Sequence, residues 1–183
     1  MHKPDWCKEH CPLGRRSSGF THDSRTESPK LALVLPHPSK DDIIVAPWLN
    51  KAGWAWEQQF LRPFGLTRRD VLISYLMRCY PQQGKFPTGK DKAALNACRY
   101  WDERLLAYAP TVWGITYNPT KIFQAPQQTI FFLRAVERAI EWHRQGHRPV
   151  LLCGDEVKDY YCPWADGGLK RWQGHWWQEV KAA

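Results

Sequence analysis

Four cysteines in this chain are spaced to act together. Cys7 and Cys11 form a C-x3-C hook in WCKEHC, and Cys79 and Cys98 bracket CYPQQGKFPTGKDKAALNAC, a Pro-, Gly- and Lys-rich loop that runs into a helical pattern. Four thiolates can hold a Zn2+ ion or a [4Fe–4S] cluster. The spacing separates the two poorly. A zinc knuckle usually pairs two short C-x2–4-C hooks, and the second pair here is far wider, so a wide pair closed by a helix suits a cluster better. The plainer alternative is a set of buried thiols with no ligand. Cys153 lies in an apolar run and reads as such a core thiol; Cys162 is assigned to neither class.

Metal chemistry gains weight from the rest of the sequence. The first residues, MHKPDWCKEHCPLGRR, are charged and lack the apolar core of a secretory signal. No run approaches the ~18 apolar residues of a membrane span. These features predict an intracellular, cytoplasmic chain with no membrane partner, where stable disulfides are disfavoured. The formal net charge is +8, which favours a polyanionic partner, nucleic acid first. Eleven tryptophans exceed what a core alone needs, and aromatics on a basic surface are suited to stacking on unpaired bases.

The elements that must position these residues follow from hydrophobic pattern. The chain predicts one domain over 1–183, with a polar segment over 1–29 lying across an α/β core over 30–183. KLALVL (30–35), DVLISYLMRC (70–79), TVWGITY (111–117) and RPVLLCG (148–154) read as strands. NKAGWAWEQQFLRPFG (50–65) reads as a helix with Trp54, Phe60 and Leu61 on or near one face and Gly65 closing it. Residues 88–108 form a helix started by Thr88 that carries Ala94, Leu95, Cys98 and Trp101. Residues 126–145 form another, with Ile130, Leu133, Val136, Ala139 and Ile140 inward; 168–181 is helical in part. Strands alternating with helices predict parallel pairing, hence a three-layer α/β/α domain with a four-stranded, mainly parallel sheet. Ligands of such sheets bind beyond the carboxyl ends of the strands, here PHPSKDD, MRCYPQQ, TYNPTK and GDEVKDYY.

At this point the motifs resemble a known family. WCKEHCPLG is similar to the start of the iron–sulfur, family 4-like branch of the uracil-DNA glycosylase superfamily, where a cysteine pair precedes Pro-Leu. KLALVLPHPSKDD stands where that family has a strand leading to Gly-Glu-Ala-Pro-Gly. APWLNKAGWAWEQQF resembles its Pro-Phe-x-Gly-x-Ala-Gly turn and helix, with Pro47, Trp48, Ala52 and Gly53 in register. GLTRRDVLISYLMRCYPQ resembles its Asp-Val, Ile-Thr-Asn, Lys-Cys-Arg-Pro run, and ACRYWDERLLAYAPTV its helix with the fourth cysteine. The resemblance covers residues 5–116 best. It implies a uracil-DNA glycosylase-like fold and a [4Fe–4S] cluster, with Zn as the alternative, on Cys7, Cys11, Cys79 and Cys98. It also implies DNA, single- or double-stranded, as partner, met by Arg78, Lys85, Lys90, Lys92 and Lys158, and a protein partner within a replication or repair assembly.

The same resemblance implies a base pocket from Pro36, Trp48 and Tyr75, and there this sequence departs from the pattern. Base excision needs a flipped nucleotide, a polar group that places water and donors for the departing base. The family's water-placing Glu falls on Pro36. Its base-reading Asn falls on Tyr75, whose hydroxyl cannot offer the paired donor and acceptor of an amide. Its late His-Pro-Ser has no counterpart after the last strand. His37, Asp41, Asp42 and Asp155 are the catalytic candidates that remain. One comparison sets RPVLLCGDEVKDYY on the histidine strand. Another sets it on an earlier strand and makes TVWGITYNPTKIF and the 126–145 helix an insertion. The first expectation is a DNA-binding protein with lost or altered excision, acting in replication, repair or modification. The alternative is an active glycosylase on uracil or a modified pyrimidine, and a third reading is an unrelated zinc-stabilised binding module.

Overall fold

The computed structural model describes residues 5–13, 21, 24, 26–45, 51–80, 94, 98, 112–116, 126–154 and 157. Among these, four short strands form one sheet: β1 (Leu31–Leu35), β2 (Val71–Tyr75), β3 (Val112–Thr116) and β4 (Pro149–Cys153), in the order β2-β1-β4-β3. Every neighbouring pair is parallel, with Leu33 opposite both Ile73 and Leu151, and Ile115 opposite Leu152. Every residue of β1, β2 and β4 is buried. That is the reason these segments read as unbroken apolar runs rather than as alternating ones, since both faces of a parallel sheet are covered. The chain is thus α/β with a parallel sheet. The stretch VWGIT (Val112–Thr116), part of what one comparison treated as an insertion, supplies the edge strand beside β4.

Four α-helices among the described residues accompany the sheet: α1 (Asp5–His10), α2 (Lys40–Val45), α3 (Lys51–Trp56) and α4 (Pro126–Arg144). The predicted 50–65 helix is broken into three parts. α3 passes into a π-helical turn over Glu57–Leu61 and a 3-10 turn over Arg62–Phe64, and Gly65 ends it in the left-handed region at φ 70°. This register makes Trp56 the inward tryptophan. Trp54, expected on the core side, is 58% exposed, because it stands two residues and about 200° of helical rotation from Trp56.

α4 lies on β3, β4 and β1 and touches the π turn. Its buried stripe is Phe132, Ala135, Val136, Ala139 and Trp142, with Ile140 at its margin. Ile130, expected inward, is 51% exposed, since the stripe that fits the sheet begins two residues later. Phe132 meets Phe60 edge-on at 5.1 Å and Trp56 at 5.6 Å, which locks helix to helix above the sheet. Ala94 and Cys98 are helical and buried, as predicted; the rest of 88–108, and 168–181, lie outside the described residues. No described helix is long and apolar enough to cross a membrane.

Three described residues of the polar N-terminal segment are tied to β2 and its end. The Thr21 amide donates to the Arg78 carbonyl (2.9 Å) and the Ser24 amide to the Ile73 carbonyl (2.9 Å). Ser24 Oγ accepts from the Ile73 amide (2.7 Å), and Thr26 Oγ1 donates to the Val71 carbonyl (3.1 Å). Partners fall in number as the residue number rises, so Thr21, Ser24 and Thr26 stand in antiparallel order along the outer edge of β2. They satisfy amides and carbonyls that an edge strand would otherwise leave open.

Candidate metal centre and the strand ends beside it

The strap along β2 delivers the N-terminal cysteines to the carboxyl end of that strand. α1 is a short helix in which the Cys11 amide donates to the Cys7 carbonyl (3.2 Å), so C-x3-C is the i, i+4 spacing that puts both thiols on one helix face. Cys7 packs against Cys79 and Trp6; Cys11 packs against Ala94, Trp6 and Leu13, one turn of helix before Cys98. All four cysteines are buried and none is in a disulfide.

Electrostatics ties the fourth thiol to the other three. Burial pushes the Cys98 thiol up to about 12. The backbone N–H of Arg78, donated to that sulfur, works the other way, and the neighbouring Cys79, Cys11 and Cys7 push it up again. Thiols gathered in a water-poor site become thiolates when a cation is present to stabilise the charge. Among the described residues no three His, Cys, Asp or Glu side chains are grouped to hold a metal ion.

The ends of β1 and β2 meet beside this site. The Leu76 amide donates to the Leu35 carbonyl (2.8 Å) and the Met77 amide to the Pro36 carbonyl (3.0 Å), which extends the ladder past the strands. Pro36 and Tyr75 are thereby brought to one end of the sheet. Pro36 is buried, and the Tyr75 side chain belongs to the core, 1% exposed. His37 is half-buried; its Nδ1 donates to the Pro38 carbonyl (2.9 Å), which leaves the lone pair of the neutral ring on Nε2. Arg78, expected at the DNA face, is 2% exposed, and its Nη2 donates to Ser74 Oγ (3.3 Å).

Asp42 has a definite local task. Its Oδ2 accepts from the Ser39 amide and hydroxyl (both 2.8 Å), and its own amide donates to Ser39 Oγ (3.2 Å). This is a capping box at the start of α2, readable in the sequence as Ser39-x-x-Asp42. Trp48, Lys85, Lys90, Lys92, Asp155, Lys158 and Cys162 lie outside the described residues, as does the side chain of Asp41. Cys153 is a core thiol; it donates to the Leu151 carbonyl (3.5 Å), and burial raises its pKa.

The sequence reading missed one pair of structural positions. Thr67 and Asp70 form a second capping box, in which Asp70 also binds Lys30 (2.9 Å) and so ties the start of β2 to the start of β1. Thr67-x-x-Asp70 was the available signal. No family model matches this chain, and no curated protein matches it.

Proposed function

We propose that this chain is an iron–sulfur, DNA-binding protein on a uracil-DNA glycosylase-like, three-layer α/β/α plan, with base excision lost or altered. The observation that supports this reading is that four cysteines from two distant segments are all buried, with Cys7 packed on Cys79 and with Cys79, Cys11 and Cys7 near enough to act on the Cys98 thiol. What supports a [4Fe–4S] cluster is the donor set itself: four buried cysteines, none in a disulfide. Such a cluster supplies a covalent cross-link through four iron–thiolate bonds. Cys7 and Cys11 would anchor the N-terminal strap, while Cys79 and Cys98 would fix the two ends of the basic 80–97 loop. Lys85, Lys90 and Lys92 would then meet phosphates, which position a protein without reading sequence.

Tyr75 favours the reading without ordinary uracil excision. It occupies the position where the resemblance implies a base-reading amide, and it is packed in the core. The Asp42 carboxylate is engaged in capping a helix. His37 supports the alternative of an active glycosylase, because it stands half-buried at the end of β1 with its tautomer set by Pro38.

Anaerobically purified protein tests both levels. Bound iron and sulfide with absorbance near ~400 nm are the expected result, and stoichiometric zinc without iron would overturn the cluster. Incubation with oligonucleotides containing uracil, hypoxanthine or hydroxymethyluracil, followed by alkali, should leave the strands intact. Strand breaks would establish the active alternative.

A further inference from the structure

The buried thiols are not packed alike. Cys98 and Cys153 are members of the main core. Cys11 lies against Ala94. Cys7 and Cys79 form a group of their own, whose two buried members are these cysteines, with Trp6 packed on them. One comes from the N-terminal helix α1 and the other from just beyond the end of β2. Neither is in a disulfide.

Backbone bonds set both partners in place. Cys79 follows Arg78, whose carbonyl accepts from the Thr21 amide (2.9 Å), and the Cys7 carbonyl accepts from the Cys11 amide (3.2 Å). A disulfide needs β-carbons about 3.5–4.5 Å apart, and side chains already in contact reach that with small movement. The two cysteines are 3% and 2% exposed, yet their cover is thin. Cys7 is the buried residue of α1, while Asp5, Lys8, Glu9 and His10 of the same helix are exposed. Trp6 is half-buried and stacks on His10 (4.9 Å). A helix of six residues is marginal without its packing, so local opening of α1 bares the pair to a small oxidant.

We propose that Cys7 and Cys79 are a site of oxidative modification: in the metal-free chain a hydroperoxide joins them in a reversible disulfide that locks α1 to the end of β2. The sulfur of one cysteine attacks a peroxide oxygen and takes it as a sulfenic acid; the O–O bond breaks, and the other oxygen leaves as water or an alcohol. The second sulfur then displaces the sulfenic hydroxyl as water, and the S–S bond forms. Two thiols and one hydroperoxide thus give one disulfide, one alcohol or water, and one water; the sulfurs lose two electrons and the peroxide gains them. A dithiol reverses the bridge by exchange. While it stands, neither sulfur is a metal ligand, because the ligand is the thiolate. The pairing follows from the contact of Cys7 with Cys79 and does not rest on the cluster reading.

Disulfide mapping of the full chain tests it. Bound metal is removed with a chelator and dithiothreitol under nitrogen, hydrogen peroxide is added after desalting, remaining thiols are alkylated, and the unreduced digest is read by mass spectrometry. A parallel sample is oxidised in urea. In the unfolded chain loop closure sets the order: a loop of roughly 70 residues closes about sevenfold less often than one of roughly 20, so Cys79–Cys98 should lead Cys7–Cys79 by that ratio. In native buffer the order should reverse, with Cys7–Cys79 the leading cross-link, absent in Cys79→Ser and retained in Cys153→Ala. The urea order in native buffer, a different leading pair, or no cross-link overturns the proposal. Iron content of the unaltered protein is read separately: the reversal in a protein that binds zinc without iron keeps the disulfide pair and removes the cluster.

Discussion

The amide of Thr21 donates to the carbonyl of Arg78 at 2.9 Å, and that bond joins the two halves of the thiol site. Arg78 precedes Cys79, and its own amide is donated to the sulfur of Cys98. One residue thus links the N-terminal strap, the end of β2 and the helix that carries the fourth cysteine. Thiols that are distant in sequence meet because backbone hydrogen bonds along β2 bring them there.

Cys98→Ser removes one thiolate from the set. Bound iron and absorbance near ~400 nm are expected to fall to a small fraction of the unaltered protein's. Cys153→Ala is the control, since that thiol is engaged by the Leu151 carbonyl inside β4. Equal loss of iron in both variants would show that the four-cysteine assignment is wrong.

Ser24→Ala tests the strap. Ser24 Oγ accepts from the Ile73 amide and donates to the Val71 carbonyl (3.2 Å). Leaving those groups without this partner should cost about 1–3 kcal/mol and should speed hydrogen exchange at the Ile73 amide. Exchange at Ile73 no faster than in the unaltered protein would mean that 21–26 does not cover the β2 edge in solution.

Asp42→Ala should destabilise the fold by about 1 kcal/mol through the lost capping box, with urea unfolding as the measurement. Asp42→Asn keeps an acceptor and should recover most of that. DNA binding should be unchanged in both. A variant of full stability that loses a measurable excision activity would return Asp42 to the chemistry.

Glu57 gives a pH dependence with a definite sign. Burial works to raise its carboxyl, but the hydrogen bonds from Arg68 and the charges of Arg68 and Arg62 outweigh this and hold it below its ordinary value of 4.5. A depressed folded-state pKa contributes stability that is fully present above the unfolded value and is lost as pH falls through the folded one. The unaltered protein should therefore exceed Glu57→Gln by about 1–3 kcal/mol near neutrality, and the gap should shrink as pH falls below 4.5. Denaturant midpoints at a series of pH values measure it; a constant gap into acid would remove Glu57 as its source.

The strands were legible in the sequence because burial on both faces writes itself as an apolar run: LALVL, VLISY and PVLLC are core throughout. Their order was not legible, since nothing in a run of Leu and Val says which neighbour it pairs with. Trp54 and Trp56 show where periodicity fails: a π turn shifts the register, and only packing against Phe132 selects the inward ring. At the thiol site, the residue types and the wide second pair were readable. The strap that gathers them was not, because its grip on β2 uses backbone groups and two hydroxyls of a segment that reads as irregular.

If the proposed cluster is present, the strap also bears on how the protein behaves when iron is scarce. VLISY carries no charge, and Ser24 and Thr26 bond to its outer edge. If the thiols are left without their metal, the anchor of that cover weakens, and an uncharged β-edge becomes a template for pairing with another copy. Solubility during overexpression should then follow iron and sulfide supply, with the metal-starved chain collecting in inclusion bodies while every catalytic question stays untouched.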